Sequence, residues 1–337
     1  MPVPVDPSRL YHGVFPGIDT GEEDRVTPQT LKAYEDAAGR DAAWVYFSHN
    51  WFSGEAFPLE TARWIRDHRR IPFIRLMLRA NDEQASGTRP DPDRVYSLET
   101  INAGRHDRKL AAWGEAARDF AHPLVVEYGT EVNGFWFRWN GLHNGRRRGP
   151  ERFVNAFRRI VRIIRDEAGA RNVTWVFHVN DQDYPNPSGG NSWNRMENYY
   201  PGGDVIDWVG VSVYGAQEPK ADADCEPFEP RFDEMYDRLV AKATGKPVFL
   251  LEFGATAGHP NPGGDKQCRP EGWADAALGA VLNKRRYPML CGFSWWNEGW
   301  PNDDADPTEM RLQEIPELAA VFRRRLAGNP LIIDRPL

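Results

Sequence analysis

The sequence predicts a (β/α)8 barrel of the α/β class, and three observations carry that prediction. Eight short apolar runs recur along the 337 residues. Amphipathic stretches separate most of them, as strand–helix alternation requires. No linker, low-complexity tract or internal repeat interrupts the alternation. Residues 1–337 therefore read as a single barrel domain, with short extensions at about 1–8 and 327–337.

Taken in order, the predicted strands are 10–15, 43–47, 72–78, 124–130, 173–179, 208–214, 247–252 and 291–296. Runs such as Leu124-Val125-Val126 and Val248-Phe249-Leu250-Leu251 lack polar alternation, which marks strands buried on both faces. Thr27 followed by Pro28 opens a helix with a cap residue and a first-turn proline. Further helices are expected over 105–120 and 232–244. Across 151–168, Phe153, Phe157, Ile160 and Ile164 share one face and arginines the other. The Arg146-Arg147-Arg148 run before it reads as solvated surface.

Composition narrows the function. A hydrophobic fraction of 41% supports a large core, and a formal net charge of −7 argues against nucleic acid or an acidic membrane surface as partner. No apolar run approaches the roughly 18 residues of a membrane helix. The N-terminus carries neither a basic region nor an apolar core, so no signal peptide is visible. The expected location is secreted or cell-envelope with the export signal outside this sequence, and a cytoplasmic location stays open. A monomer is expected. Of three cysteines, Cys225 and Cys268 lie in polar loops and are the pair able to form a disulfide, while Cys291 falls in an apolar strand. No cofactor and no metal are expected: there is no His-x-x-x-His, no Cys-x-x-Cys and no Gly-rich phosphate loop. Asp303, Asp304, Asp306 and Glu309 read as a solvated acidic loop, since their spacing fits no calcium loop.

Barrel chemistry sits where the strands run out at their C-terminal ends. The second strand is followed by His49 and Trp51, the third by Arg79, and the fourth by Glu131 and Asn133. Beyond these come Trp136 and Trp139. The fifth exits through His178 and Asn180, the sixth at Tyr214, the seventh at Glu252, and the eighth delivers Trp295, Trp296 and Trp300. Carboxylates beside indoles suit a sugar, whose C–H faces stack on aromatic rings while a carboxylic acid protonates the glycosidic oxygen. Glu131 and Glu252 are the expected catalytic pair, with Tyr214 placed to hydrogen-bond Glu252. His49, Trp51, Arg79, Asn133, Trp136, Trp139, His178, Asn180, Trp295, Trp296 and Trp300 are the candidate substrate contacts. A carbohydrate-binding barrel without turnover is the competing class.

The stretch 131–141, EVNGFWFRWNG, resembles the fourth-strand motif of glycoside hydrolase family 26. YYPGGDVIDWVGVSVYG at 199–215 is similar to that family's sixth-strand signature, and NVTWVF at 172–177 to its fifth. The family holds β-mannanases, some β-1,3-xylanases and mixed-linkage glucanases. The resemblance implies a retaining endo-β-glycanase acting on a polysaccharide or oligosaccharide, with Glu131 as acid/base, Glu252 as nucleophile and Tyr214 supporting it. Mannan is the first substrate expected. Two departures bear on specificity. Thr130 stands where family mannanases usually carry histidine, and the third strand presents both Arg75 and Arg79. Either these arginines pair with Glu127 and Glu131 at matching spacing, or Arg79 meets an unusual glycan. An Arg75–Glu127 pair is the favoured reading.

Overall fold

The structure, a computed structural model, describes residues 2–85, 89–222, 225–260 and 264–333. Eight parallel strands close into a barrel: β1 (Leu10–Pro16), β2 (Trp44–Asn50), β3 (Ile71–Met77), β4 (Leu124–Tyr128), β5 (Val173–Asn180), β6 (Trp208–Tyr214), β7 (Val248–Gly254) and β8 (Leu290–Asn297). Each pairs with its sequence neighbour, and β8 closes on β1 from Tyr11/Gly292 to Pro16/Asn297. Every residue of these strands is buried, because the sheet faces helices outside and its own side chains inside.

The connecting helices form the outer layer: α1 (Pro28–Ala38), α2 (Leu59–Asp67), α3 (Leu98–Asn102), α4 (Asp107–Phe120), α5 (Gly149–Val161), α6 (Met196–Tyr199), α7 (Phe228–Lys242), α8 (Pro270–Val281) and α9 (Pro316–Leu326). The Thr27 hydroxyl accepts from the Thr30 amide at 3.1 Å and Thr30 returns the bond, so the predicted cap of α1 is a reciprocal one. α5 ends at Val161 and passes into a π turn over Arg162–Glu167. α7 starts four residues before its predicted onset, because Pro230 falls in the first turn, where its missing N–H costs nothing.

The terminal segments are tied to the barrel's N-terminal end. Ile332–Ile333 forms a short strand, β11, beside Leu10 and Tyr11, and the Val3 amide donates to Thr174 Oγ1 at 2.7 Å. Above that end the lower barrel interior is aromatic, with Trp44 touching Tyr11, Phe73, Trp208 and Phe249 at ring-centroid distances of 5.9–6.2 Å. Trp44 fits because Gly13 faces it: a Cβ there would lie 2.0 Å from the indole. At the opposite end two short strands, β9 (Gly299–Trp300) and β10 (Thr308–Glu309), pair over the rim.

Candidate active site

β4 stops at Tyr128, two residues short of the predicted end, and the chain turns through Gly129 (φ 72°) to Glu131 (φ 47°). Gly129 is required there, since a Cβ would sit 2.3 Å from the Phe153 ring. Glu131 holds a left-handed backbone that costs a non-glycine residue stability, and its neighbours impose it. Trp139 donates its indole N–H to the Thr130 carbonyl at 2.8 Å, and Asn140 Nδ2 donates to the Val132 carbonyl at 2.8 Å. Asn133 Nδ2 donates to the carbonyls of Asn180 and Gln182 and to Asp183 Oδ1, while its Oδ1 accepts from the Asn180 amide. So clamped, Glu131 faces the barrel mouth and accepts the Trp136 indole N–H on Oε2 at 2.7 Å.

Glu252 reaches the same mouth by another device. Ser212 of β6 pairs with Glu252 whereas Val211 pairs with Leu250, so Leu251 is bulged out. The bulge re-aims the following side chain inward. Glu252 Oε2 accepts from Tyr214 Oη at 2.8 Å, and Oε1 meets the Arg75 guanidinium. Burial first, and then the charge of Glu131, pushes the Tyr214 phenol well above its usual range, so it remains an O–H donor.

Both carboxyls line one cavity of about 790 Å³, together with Trp136, Phe137, Asn180, Tyr184, Tyr214, Trp296 and Trp300. Trp296 stacks on Phe15 at 4.1 Å and donates its indole N–H to Glu298 Oε2 at 2.9 Å. The floor of the cavity, which Arg75 and Glu23 line, is a largely buried polar layer. Arg75 Nε is 3.2 Å from Glu127 Oε1, which gives the expected pair, and Arg75 Nη1 is 3.0 Å from Glu23 Oε2. Glu127 also accepts from Tyr46 and lies 2.8 Å from His178 Nδ1. Burial works against the Glu127 anion, but His178 and Arg75 outweigh it and hold its carboxyl below the usual range.

Several predicted substrate contacts lie elsewhere. His178 is fully buried, with Nε2 on Ser212 Oγ at 2.7 Å and Nδ1 shared by Glu127 and Thr130 Oγ1, so it belongs to the layer beneath the cavity. His49 points outward to Trp113, whose indole N–H donates to its Nδ1 at 3.3 Å, and burial pushes its pKa down to about 4. Trp51 is buried edge-on against Tyr96. Trp295 is buried outside the barrel, donating to the Met310 carbonyl at 2.8 Å. Trp139 and Asn133 are the buried clamps described above. Arg79 bonds Asn50 Oδ1 at 2.9 Å and the Asp82 carbonyl, and lines a neighbouring crevice of about 10 Å³. For His49 and Trp295 the reason is strand geometry: neighbouring residues of a strand point to opposite faces, so only part of any strand end looks inward.

The cavity also contains residues outside the predicted set. Glu23 comes from the loop after β1, where the run Glu22-Glu23-Asp24 is a visible acidic signal. Glu298 follows β8, its carboxyl pushed well above the usual range by burial and then by Glu23. Tyr184, Gln217, Glu218, Lys220 and Arg231 arrive on long loops or on α7, for which strand patterning gives no warning. Cys225 and Cys268 form a disulfide joining the loops after β6 and β7.

Among the described residues two groups of donors lie close enough together to hold a metal. In Cys225/His259/Cys268 the disulfide consumes both thiolates. In Glu127/His178/Glu252 each residue already has hydrogen-bond or ion-pair partners and Arg75 contacts both carboxylates, so that group fits an ion-pair layer.

Comparison with known proteins agrees with the barrel fold. Residues 98–249 match the model of glycosyl hydrolase family 26. Endoglucanase H of Acetivibrio thermocellus is 25% identical over 235 residues, covering 69% of this chain and 23% of that protein. The β-1,3-xylanase TXYA of a Vibrio species is 21% identical over 258 residues, covering 70% and 50%. The chain thus spans half the length or less of these curated relatives. Among solved structures, a family 26 β-mannanase from Bacteroides ovatus superposes with a TM-score of 0.64 at 16% identity, covering 97% of this chain and 90% of that one. A β-mannanase from a symbiotic protist of the termite Reticulitermes speratus, complexed with gluco-manno-oligosaccharide, gives 0.60 at 14% identity, covering 98% and 91%.

Proposed function

We propose that this chain is a member of glycoside hydrolase family 26, whose model it matches over residues 98–249, and that it is a retaining endo-β-glycanase with one catalytic (β/α)8 barrel. The observation that carries the reading is the pair of carboxyls on one cavity, each with its own hydrogen-bond donor: Trp136 on Glu131 and Tyr214 on Glu252. In the first step the Glu252 carboxylate attacks the anomeric carbon while Glu131 gives its proton to the departing glycosidic oxygen. The C–O bond to the leaving sugar breaks as the glycosyl ester forms. In the second step the Glu131 carboxylate takes a proton from water, whose oxygen displaces Glu252, and the acid/base pair is restored.

The substrate we propose is a neutral β-linked polysaccharide, with linear β-1,4-mannan a poor member of the set. Thr130 turns inward to His178, so no imidazole stands beside the acid/base, and His178 is too buried to replace it. A site that loses a donor to a sugar hydroxyl changes which sugar it prefers. The relatives named above include a β-1,3-xylanase and an endoglucanase, which sets the alternatives. The protein is taken to work as a monomer in a secreted or cell-envelope setting, and no described helix is long and apolar enough to cross a membrane.

The test is release of new reducing ends from β-1,4-mannan, mixed-linkage β-glucan, β-1,3-xylan and bacterial envelope glycans, with proton NMR of the first anomer formed. Hydrolysis with retention is expected. Binding without cleavage would leave a carbohydrate-binding barrel, inversion would remove Glu252 as nucleophile, and mannan as best substrate would remove Thr130 from specificity.

A further inference from the structure

Arg75 takes no part in the displacement just described, yet it lies at the centre of the groups that perform it. Its guanidinium is buried, and each nitrogen faces a different carboxylate: Nη2 meets Glu252, Nε lies 3.2 Å from Glu127, and Nη1 lies 3.0 Å from Glu23. The plane is enclosed by aromatic rings, with its centre 4.8 Å from Trp296 and 5.2 Å from Tyr46. We propose that Arg75 is the positioning residue for Glu252, fixing the direction in which that carboxylate presents its oxygens to the cavity. The proposal rests on the reading of Glu252 as nucleophile.

The support comes from what holds each partner. Glu252 is held from opposite sides, by Arg75 on Oε1 and Tyr214 on Oε2, with the Tyr46 hydroxyl more distant at 3.5 Å from Oε1, so loss of Arg75 or Tyr214 frees it to rotate. Arg75 cannot follow that rotation, because Glu127 and Glu23 pin its other nitrogens. Glu127 is pinned in turn by Tyr46 and by His178, and His178 by Ser212 and Thr130. The chain of contacts therefore ends at the residue before Glu131 and couples the placement of the two carboxyls. Its anchor is the sheet itself, since Arg75 and Glu127 are direct register partners on β3 and β4. Three partners in three directions require a planar cation with several donors. A lysine offers a compact point charge on a flexible stem and cannot span them together.

A cation that merely neutralised buried charge would be replaceable by lysine; a positioning residue would not. The test uses R75K and R75M, each checked for folding by its melting transition. Kinetics are measured on whichever panel glycan the wild type cleaves fastest, and the R75K crystal structure is solved. Both variants should lose about 100-fold or more in kcat with KM within about threefold, the signature of displaced catalytic geometry. In R75K the Glu252 carboxylate should have left Tyr214. Should R75M fail to fold, R75K carries the comparison. An R75K enzyme within about threefold of wild-type kcat, or one whose Glu252 still accepts from Tyr214, overturns the proposal. If the wild type cleaves no glycan, the proposed function falls, and the position of Glu252 in the R75K crystal structure alone decides the role of Arg75.

Discussion

Near the N-terminal ends of the strands the barrel interior is packed with rings: Tyr11, Trp44, Phe73, Trp208 and Phe249, with Trp208 stacked on Phe249 at 4.0 Å. Higher in the same barrel, Tyr46, Arg75, Glu127, His178, Ser212 and Glu252 fill the equivalent space with charge and hydrogen bonds. Strand geometry is the same in both layers, and all these side chains are buried. The lower layer gains stability by removing apolar area from water. The upper layer bears the desolvation of one guanidinium and several carboxylates, which costs several kcal/mol per ion before pairing. A barrel tolerates such a layer because the rest of its core supplies the stability, and the benefit is a set of carboxyls whose direction is fixed. Stability and reactivity are thus divided along the barrel axis.

The sharpest way to break this division is at the catalytic pair. E252A and E131A should each lower kcat by roughly four orders of magnitude or more while the melting transition stays cooperative. They should also differ from one another. With an activated aryl glycoside and added azide, E131A should recover turnover and E252A should not, because only Glu252 forms the covalent bond. Equal inactivity of the two under azide would undo the assignment of roles.

The lower layer should respond in the opposite currency. W44A should cost about 3–5 kcal/mol in denaturant unfolding, as large aromatic deletions do, with kcat preserved in the fraction that remains folded. If W44A leaves stability intact but abolishes turnover, the two layers are not separate.

Two histidines extend the contrast to the outside of the barrel. His178 has a partner on both ring nitrogens, whereas His49 is buried with its pKa pushed from 6.5 down to about 4. In the unfolded chain His49 takes a proton near pH 6.5, while the folded protein refuses it until about pH 4. The stability is therefore present above pH 6.5 and is lost, by up to about 3 kcal/mol, as pH falls to 4. H49Q should remove that loss, so urea midpoints measured at pH 7 and 4.5 should lie closer together in the variant. An unchanged gap would show that His49 does not titrate this way.

The smallest effects belong to the rings. Trp300 lines the cavity and Trp295 does not. W300A should cost about 1–3 kcal/mol in binding long oligosaccharides with little change in stability. W295A should do the reverse, and equal binding losses in both variants would contradict these different places for the two indoles.

How much of this was legible beforehand divides along physical lines. The alternation of eight apolar runs specified the barrel, because strands buried on both faces and amphipathic helices leave period and length signatures that no tertiary contact has to supply. The strand boundaries came within a few residues, and the cap at Thr27 is read directly from local chemistry. The sequence also placed Glu131, Glu252 and Tyr214 at strand ends, and Cys225 beside Cys268 as the pair able to bond. It could not say which of the strand-end residues look into the cavity. That choice depends on Gly129 and Glu131 turning left-handed and on the Leu251 bulge, which between them re-aim the two carboxyls. Trp139, Asn133 and Trp295 carry the same residue types as sugar contacts, and only packing assigned them to support. Residues such as Glu23, Tyr184 and Arg231 reach the cavity over long loops and a helix, where no periodicity constrains direction. Local pattern determines which elements form and which face is apolar; closure of the barrel, from contacts distant in sequence, decides where each side chain points.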